Sequence, residues 1–355
     1  MNFWRHFFFG VLVGVSLLLA TLGNAFSQPN EMHRVFILHS YEKDHVCGQP
    51  QHNGVIAALT DAGFEENVDF KVQAFYMDTK RTNNTPPLIH RQAQKALAAI
   101  DDFKPHVLVP LDDNAFRTVA LALTDSPMAI VFCGMNGQPE AYNRIKPFME
   151  TRLQPGHNTT GVYEKLYIAD AIRVHSRLLP GLEKVRIFVD TSPTGFAIHR
   201  QILLEMAHPS IPWDWEITVI ANWEQYQQEI LLANQDPATS AIYPGVLLLK
   251  DVAGATYTAP EIFAWTVKHS TKPEIPLNYA FAHMGLFGGA AVDFHAMGVQ
   301  VGQMVARIFN GVSPGTISIQ DAKKYALVFN LKRARQLGIT IPPEILMAAD
   351  EVITE

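Results

Sequence analysis

Apolar residues along this chain follow two alternating rhythms. Short continuous runs rich in β-branched and aromatic residues are separated by stretches in which apolar positions recur every three or four residues. The run RVFILHS at 34–40 predicts a buried strand. Residues 51–62 predict a helix with Val55, Ile56, Leu59 and Ala62 on one face and Gly63 as its stop. A strand at 69–76 would turn Phe70, Val72, Ala74 and Tyr76 inward. Helix 87–103, strand 106–110, helix 114–123 and strand 128–133 complete a βαβαβαβ order. Residues 140–160 lose this periodicity and gather Pro147, Pro155, Gly156 and Asn158, which suits a connection between lobes.

The alternation then restarts: helix 166–178, strand 185–190, helix 195–207, strand 215–220, helix 223–233, strand 241–249 and helix 260–269. An apolar run at 275–281, a helix at 295–310, strand-like runs at 316–319 and 325–329, and a helical tail at 331–349 broken at Pro342-Pro343 close the chain. The expected class is α/β, with two Rossmann-like lobes whose parallel sheets are covered by helices.

Composition sharpens this picture at three points. With 355 residues, 48% hydrophobic and 17% charged, there is material for two cores. A formal net charge of −6 and the lack of any Lys/Arg block argue against nucleic acid as a partner. Arg5 and His6 precede an apolar run at 7–22 of signal-peptide length, and Ala25 and Ser27 are small residues at the −3 and −1 positions of a cleavage site. Removal of 1–27 would leave a mature chain starting at Gln28. No Cys precedes Cys47, so no lipid-attachment cysteine is expected, and the mature protein should be free in the periplasm.

In open parallel sheets, ligands bind at the carboxyl ends of strands, where loops lead into helix N-termini. Those ends here are His39-Ser40-Tyr41, Leu111-Asp112-Asp113-Asn114, Cys133-Gly134-Met135-Asn136 and the run from Asp190 through Thr191, Ser192 and Thr194 to Gly195. They offer many neutral donors and acceptors and few fixed charges. Helix capping is the competing role for Asp113, Asn114, Ser192 and Thr194. His39, His45, Cys47 and His52 invite a metal, but their spacing matches no standard site, and no metal is expected. Cys47 and Cys133 could be bridged in an oxidising compartment or stand as free thiols. There is no G-x-S-x-G, H-E-x-x-H or P-loop, and the adjacent Asp112 and Asp113 read as a solvated pair or helix cap, so no catalysis and no cofactor are expected. Trp213, Trp215, Trp223 and Trp265 read as core.

The segments HSYEKDHVCGQPQHNG, YMDTKR at 76–81, DDNAF at 112–116, FCGMN at 132–136 and the ending NLKRARQLGITIPPEIL together resemble the ABC-transporter substrate-binding protein family over about 33–349. That family has the type I periplasmic binding protein fold, and some of its members take up aromatic amino acids. The resemblance implies an N-lobe of 32–150 plus 285–310, a C-lobe of 151–284 plus 311–355, and a hinge of three crossovers. It implies ligand-facing positions at Ser40, Tyr41, Asp113, Asn114, Gly134 and Asn136 on one lobe. Thr191, Ser192, Thr194 and Tyr243 would face them from the other, with Glu164 in GVYEK a candidate partner for an ammonium or hydroxyl group. Residues 42–50 depart from the family pattern, in which an aromatic residue is common. The implied role is capture of an amino acid or similar polar metabolite by a monomer, and its delivery to a membrane ABC permease. Presentation of the ligand to a membrane histidine kinase or cyclase is the alternative, and a periplasmic enzyme is the third class.

Overall fold

The computed structural model describes residues 32–207 and 211–354, so the leader and its cleavage site lie outside the described residues. The first half contains β1 (His33–His39), α1 (Gly48–Asp61), β2 (Phe70–Tyr76), α2 (Pro86–Phe103), β3 (Val107–Leu111), α3 (Asp112–Thr118), β4 (Ala129–Met135), α4 (Pro139–Ile145) and β5 (Thr159–Tyr163). The second begins with α5 (Ile168–Leu178), β6 (Lys184–Asp190), α6 (Pro193–Met206), β7 (Asp214–Ile220), α7 (Trp223–Gln235) and β8 (Thr239–Gly245). A small hairpin of β9 (Leu248–Lys250) and β10 (Thr256–Thr258) leads into α8 (Ala259–His269). The remainder is α9 (Ala280–His283), β11 (Gly288–Val292), α10 (Phe294–Phe309), β12 (Gln320–Asp321), β13 (Tyr325–Asn330), α11 (Leu331–Leu337), α12 (Pro343–Ala348) and β14 (Glu351–Ile353).

Two sheets organise these elements. The larger has the order β12-β5-β4-β3-β1-β2 and is parallel throughout. Its central strands are buried on both faces, as in Val35–Leu38 of β1, which explains why they read as unbroken apolar runs. β2 lies at the edge, and of its alternating set only Phe70 is fully buried. The second sheet starts as parallel β7-β6-β8. Ile242 then bridges to Glu274, and the Gly288 N–H donates to the Glu274 carbonyl, which carries the pairing on to β11, β13 and β14.

Strand pairing shows the chain passing between the two sheets three times: after β5, between β11 and α10, and between β12 and β13. The first passage comes later than the sequence pattern places it. Residues 159 and 160, read from the sequence as the end of the connection, begin β5 of the large sheet, whose Thr-Thr-Gly start hides it from a hydrophobic pattern. The Thr160 hydroxyl is satisfied inside the sheet by the Ile317 carbonyl at 2.7 Å. The Gly-Gly-Ala-Ala-Val strand β11 escapes the same pattern because small residues give it no apolar contrast. The helix expected at 114–123 divides into α3 and a 3₁₀ turn at Ala120–Leu123.

One contact between distant parts of the chain fixes the carboxyl-end side of the large sheet. Helix α10 packs directly on α1 through glycines. A Cβ at Gly298 would stand 2.1 Å from the Gln51 carbonyl oxygen, one at Gly54 2.3 Å from that of His295, and one at Gly302 2.6 Å from that of Val55. Backbones this close tolerate no side chain between them. The pairing holds the first turn of α1, with Gln51, against the carboxyl ends of β1 and β4. Gly298→Ala should therefore cost about 1–3 kcal/mol of stability, as overpacked cores do, measured by urea unfolding. An unchanged unfolding midpoint would show that the helices can separate freely.

Candidate functional site

The strand ends of the two sheets face each other across a crevice of about 480 Å³. Tyr41, Thr79, Lys80, Asn114, Arg117 and Tyr142 line it from the first half, and Ser192, Thr194 and Leu247 from the second. The loop after β6 is shaped by Asp190, whose carboxylate accepts the N–H groups of Ser192 (2.9 Å) and Leu247 (3.0 Å). Ser192 then caps α6, its hydroxyl accepting the Gly195 N–H at 3.0 Å. Across the crevice Thr194 stands in the wall opposite Tyr41, so the two halves face each other over the site.

On the first half the loops are tied to one another. The Ser40 hydroxyl donates to the Leu111 carbonyl (2.7 Å) and accepts the Ala115 N–H (2.8 Å), so β1 is clamped to α3. The Thr79 hydroxyl donates to the Ser40 carbonyl (2.7 Å) and accepts from the Asn114 amide (2.9 Å). Asp113 does not cap a helix. Its carboxylate accepts the N–H groups of Asn136 (3.1 Å) and Gly137 (2.9 Å) and the Tyr142 hydroxyl (2.5 Å).

Behind Tyr41 lies a second, deeper set of groups. Asp112 is 3% exposed and has a left-handed backbone (φ 65°), a conformation that Asp and Asn adopt most readily among residues with a side chain. Adjacent to Asp113 in sequence, it is buried rather than solvated, which corrects the expectation for the pair; the turn into α3 points it inward. Glu164, 1% exposed at the end of β5, accepts the Asn136 amide at 3.1 Å. Burial pushes both carboxyls well above the usual carboxylate range, and neighbouring carboxylates add to it, Asp113 at Asp112 and both Asp112 and Asp113 at Glu164. Burial also pushes the Tyr41 phenol and the Cys47 and Cys133 thiols up. Several atoms here have no protein partner: Asp112 Oδ2, Asn136 Oδ1, Gln201 Oε1, the Tyr243 hydroxyl and both amide atoms of Gln51. Gly134, at a bulge in β4 with φ 72°, makes room for the Gln51 amide, because a Cβ there would lie 2.1 Å from Nε2.

The sequence-derived positions therefore divide three ways. Tyr41, Asp113, Asn114, Ser192 and Thr194 line the crevice, and Asn136, Glu164 and Tyr243 belong to the buried set. Ser40 and Gly134 shape the loops, while the Thr191 side chain is exposed and lies outside the crevice lining. Cys47 and Cys133 are free, buried thiols rather than a bridge. Cys47 stands at the start of α1 with its sulfur 3.6 Å from the Asn278 amide, and Cys133 is enclosed in β4. His39 and His52 pair with each other, Nε2 to Nδ1 at 3.0 Å, and among the described residues no group of three or more His, Cys, Asp or Glu side chains could hold a metal ion. Gln51, Asp112, Gln201, Lys80 and Arg117 were missed as site residues. The YMDTKR and DDNAF segments contained the signal for two of them, Lys80 and Asp112.

The raised Asp112 carboxyl gives a signed expectation. A carboxyl whose folded pKa lies above its unfolded value destabilises the folded state progressively as pH rises out of the carboxylate range. Asp112→Asn, which suits the same backbone, should raise the melting temperature of the ligand-free protein more at pH 8 than at pH 5. An equal change at both values would show that the charge is not what burial penalises.

Comparison with known proteins adds the following. The profile of a family described as ABC transporter substrate binding protein matches residues 44–353. No curated protein sequence matches the chain. Among solved structures, a conserved domain protein from Vibrio cholerae is similar at 21% identity and a TM-score of 0.68, covering 91% of this chain and 100% of its own. The ABC domain from Streptococcus pneumonia in complex with L-Trp is similar at 18% identity with the same TM-score of 0.68 and coverage of 91% and 100%. The ligand-free, open structure of a substrate binding protein with adhesive properties from Clostridium difficile is similar at 15% identity, again at 0.68 with 91% and 100%. The fold is that of the type I periplasmic binding proteins.

Proposed function

The chain belongs to the ABC transporter substrate binding protein family, and from that premise we propose that it captures a small polar metabolite between its two halves in the periplasm and delivers it to a membrane ABC permease. The observation that carries this reading is the convergence, from both halves, of buried polar atoms without protein partners: Gln51, Asp112 and Asn136 from one, Gln201 and Tyr243 from the other. Unpaired buried polar groups cost about 1–3 kcal/mol each, and a bound polar molecule that pairs with them recovers that cost. The ligand would lie beneath Tyr41, and closure follows because only the closed form lets both halves touch it.

The orphaned atoms also say what the ligand must bring. Gln51 Oε1, Asn136 Oδ1 and Gln201 Oε1 are acceptors, and Asp112 Oδ2 becomes one when a bound cation ionises its carboxyl, against a single dedicated donor at Gln51 Nε2. With Glu164 alongside, the inner end calls for a donor-rich group such as an ammonium or a cluster of hydroxyls. L-Trp, bound in the streptococcal structure, is a molecule with such a group. A binding rather than catalytic role agrees with the family and with the structural neighbours.

A thermal-shift screen of amino acids, nucleosides and sugars tests the reading, since a ligand at a hundred times its Kd stabilises by about 2.7 kcal/mol. Asn114→Ala and Ser192→Ala, one on each wall, should each weaken the ligand found by roughly tenfold or more, about 1.4 kcal/mol. Ser192→Ala should also lose about 1 kcal/mol of stability with its helix cap. Unchanged affinity in both variants would remove the crevice as the binding site.

A further inference from the structure

We propose that Lys80 and Arg117 form an anion subsite at the mouth of the crevice, so that the ligand is a small organic acid whose carboxylate or phosphate points outward. The proposal rests on the binding role just described and adds the charge of the ligand's outer end. Lys80 Nζ sits 4.6 Å above the Tyr41 ring and lines the crevice, and no carboxylate lies within ion-pair distance of it among the described residues. Its neighbour Arg81 shows the contrast, with Glu42 at 3.5 Å and Asp78 at 3.7 Å. Arg117 spends one nitrogen on the Asn114 amide oxygen at 2.9 Å, and the rest of its guanidinium donors remain for another partner.

The single carboxylate in the lining, Asp113, cannot balance these cations. Its oxygens are already taken by the Asn136 and Gly137 N–H groups and by the Tyr142 hydroxyl. The wall therefore presents two cations against one carboxylate whose acceptor sites are engaged. The inner set has the opposite character, acceptors and buried carboxyls, and Tyr41 stands between the two. Lys80 is close enough to favour the ionised forms of Asp112 and Glu164. A ligand with its donor group inward and its anion outward would satisfy the inner acids and Lys80 at once. A neutral or purely cationic ligand would leave Lys80 without a counter-charge in a partly desolvated mouth, where an unpaired charge is costly.

The test compares matched probes on the mature protein: amino acids with their amides, hydroxy acids with their methyl esters, and phosphate monoesters with the parent alcohols. Titration calorimetry should show at least one acid binding tenfold or more tightly than its neutral partner, with the gap narrowing as salt rises. Lys80→Met should abolish that preference, and Lys80→Arg, which keeps the charge, should retain it; Arg117→Gln should reduce it. Neutral partners that bind as tightly as their acids, or a preference unaltered in Lys80→Met, would overturn the anion subsite while leaving the binding role standing. A panel in which neither acids nor neutral partners bind would sink the binding role and the subsite with it.

Discussion

Two carboxyl groups taken out of water with, among the described residues, no cation in ion-pair contact are the constraint on which the site depends. Elsewhere the fold treats buried acids generously. Glu274, fully buried, meets Arg333 at 2.5 Å and also accepts the Phe287 N–H. Glu205 accepts the Leu166 and Ile168 N–H groups at the start of α5. Asp113 has three donors. Burial raises the Glu274 and Glu205 carboxyls even with these partners, but at Asp112 and Glu164 the pairing is thinner and burial pushes both carboxyls well above the usual range, towards their neutral forms. Proteins accept such costs where the arrangement serves binding, and stability is the quantity given up.

The architecture explains how those groups come together. Parallel strands deliver all their carboxyl ends to one side, so β1, β3, β4 and β5 place Tyr41, Asp112, Asn136 and Glu164 next to one another without any local sequence relation. The second sheet supplies α6 and β8 from the opposite wall, with Gln201 and Tyr243. Three strand-to-strand passages between the sheets let the halves approach while keeping each sheet intact. The glycine-mediated contact of α1 with α10 joins the start of the chain to its last third and sets where Gln51 reaches.

Much of this was legible in the sequence, and the exceptions have physical reasons. Doubly buried strands such as β1 and β3 announce themselves as apolar runs, and the α/β class follows from their alternation with helices. β5 and β11 did not, because Thr, Gly and Ala carry no hydrophobic contrast and gain their place from pairing with distant strands. The crevice was legible as a set of loops, and five of its lining residues follow from the rule of strand ends. The inner set was not. Whether Asp112 faces solvent or the interior depends on one left-handed residue, and Gln51 reaches the site only because Gly134 leaves space for it. Such relations between residues far apart in the chain leave no periodic trace.

Hydrogen exchange tests the central claim, that one small molecule is held by both halves at once. The protein would be stripped by unfolding and refolding, then measured with and without the small-molecule fraction released from freshly purified protein. Joint protection of the loops at 40–48, 112–118 and 192–197 is the result this account requires. Protection confined to one half, or none with any fraction or compound tested, would contradict it.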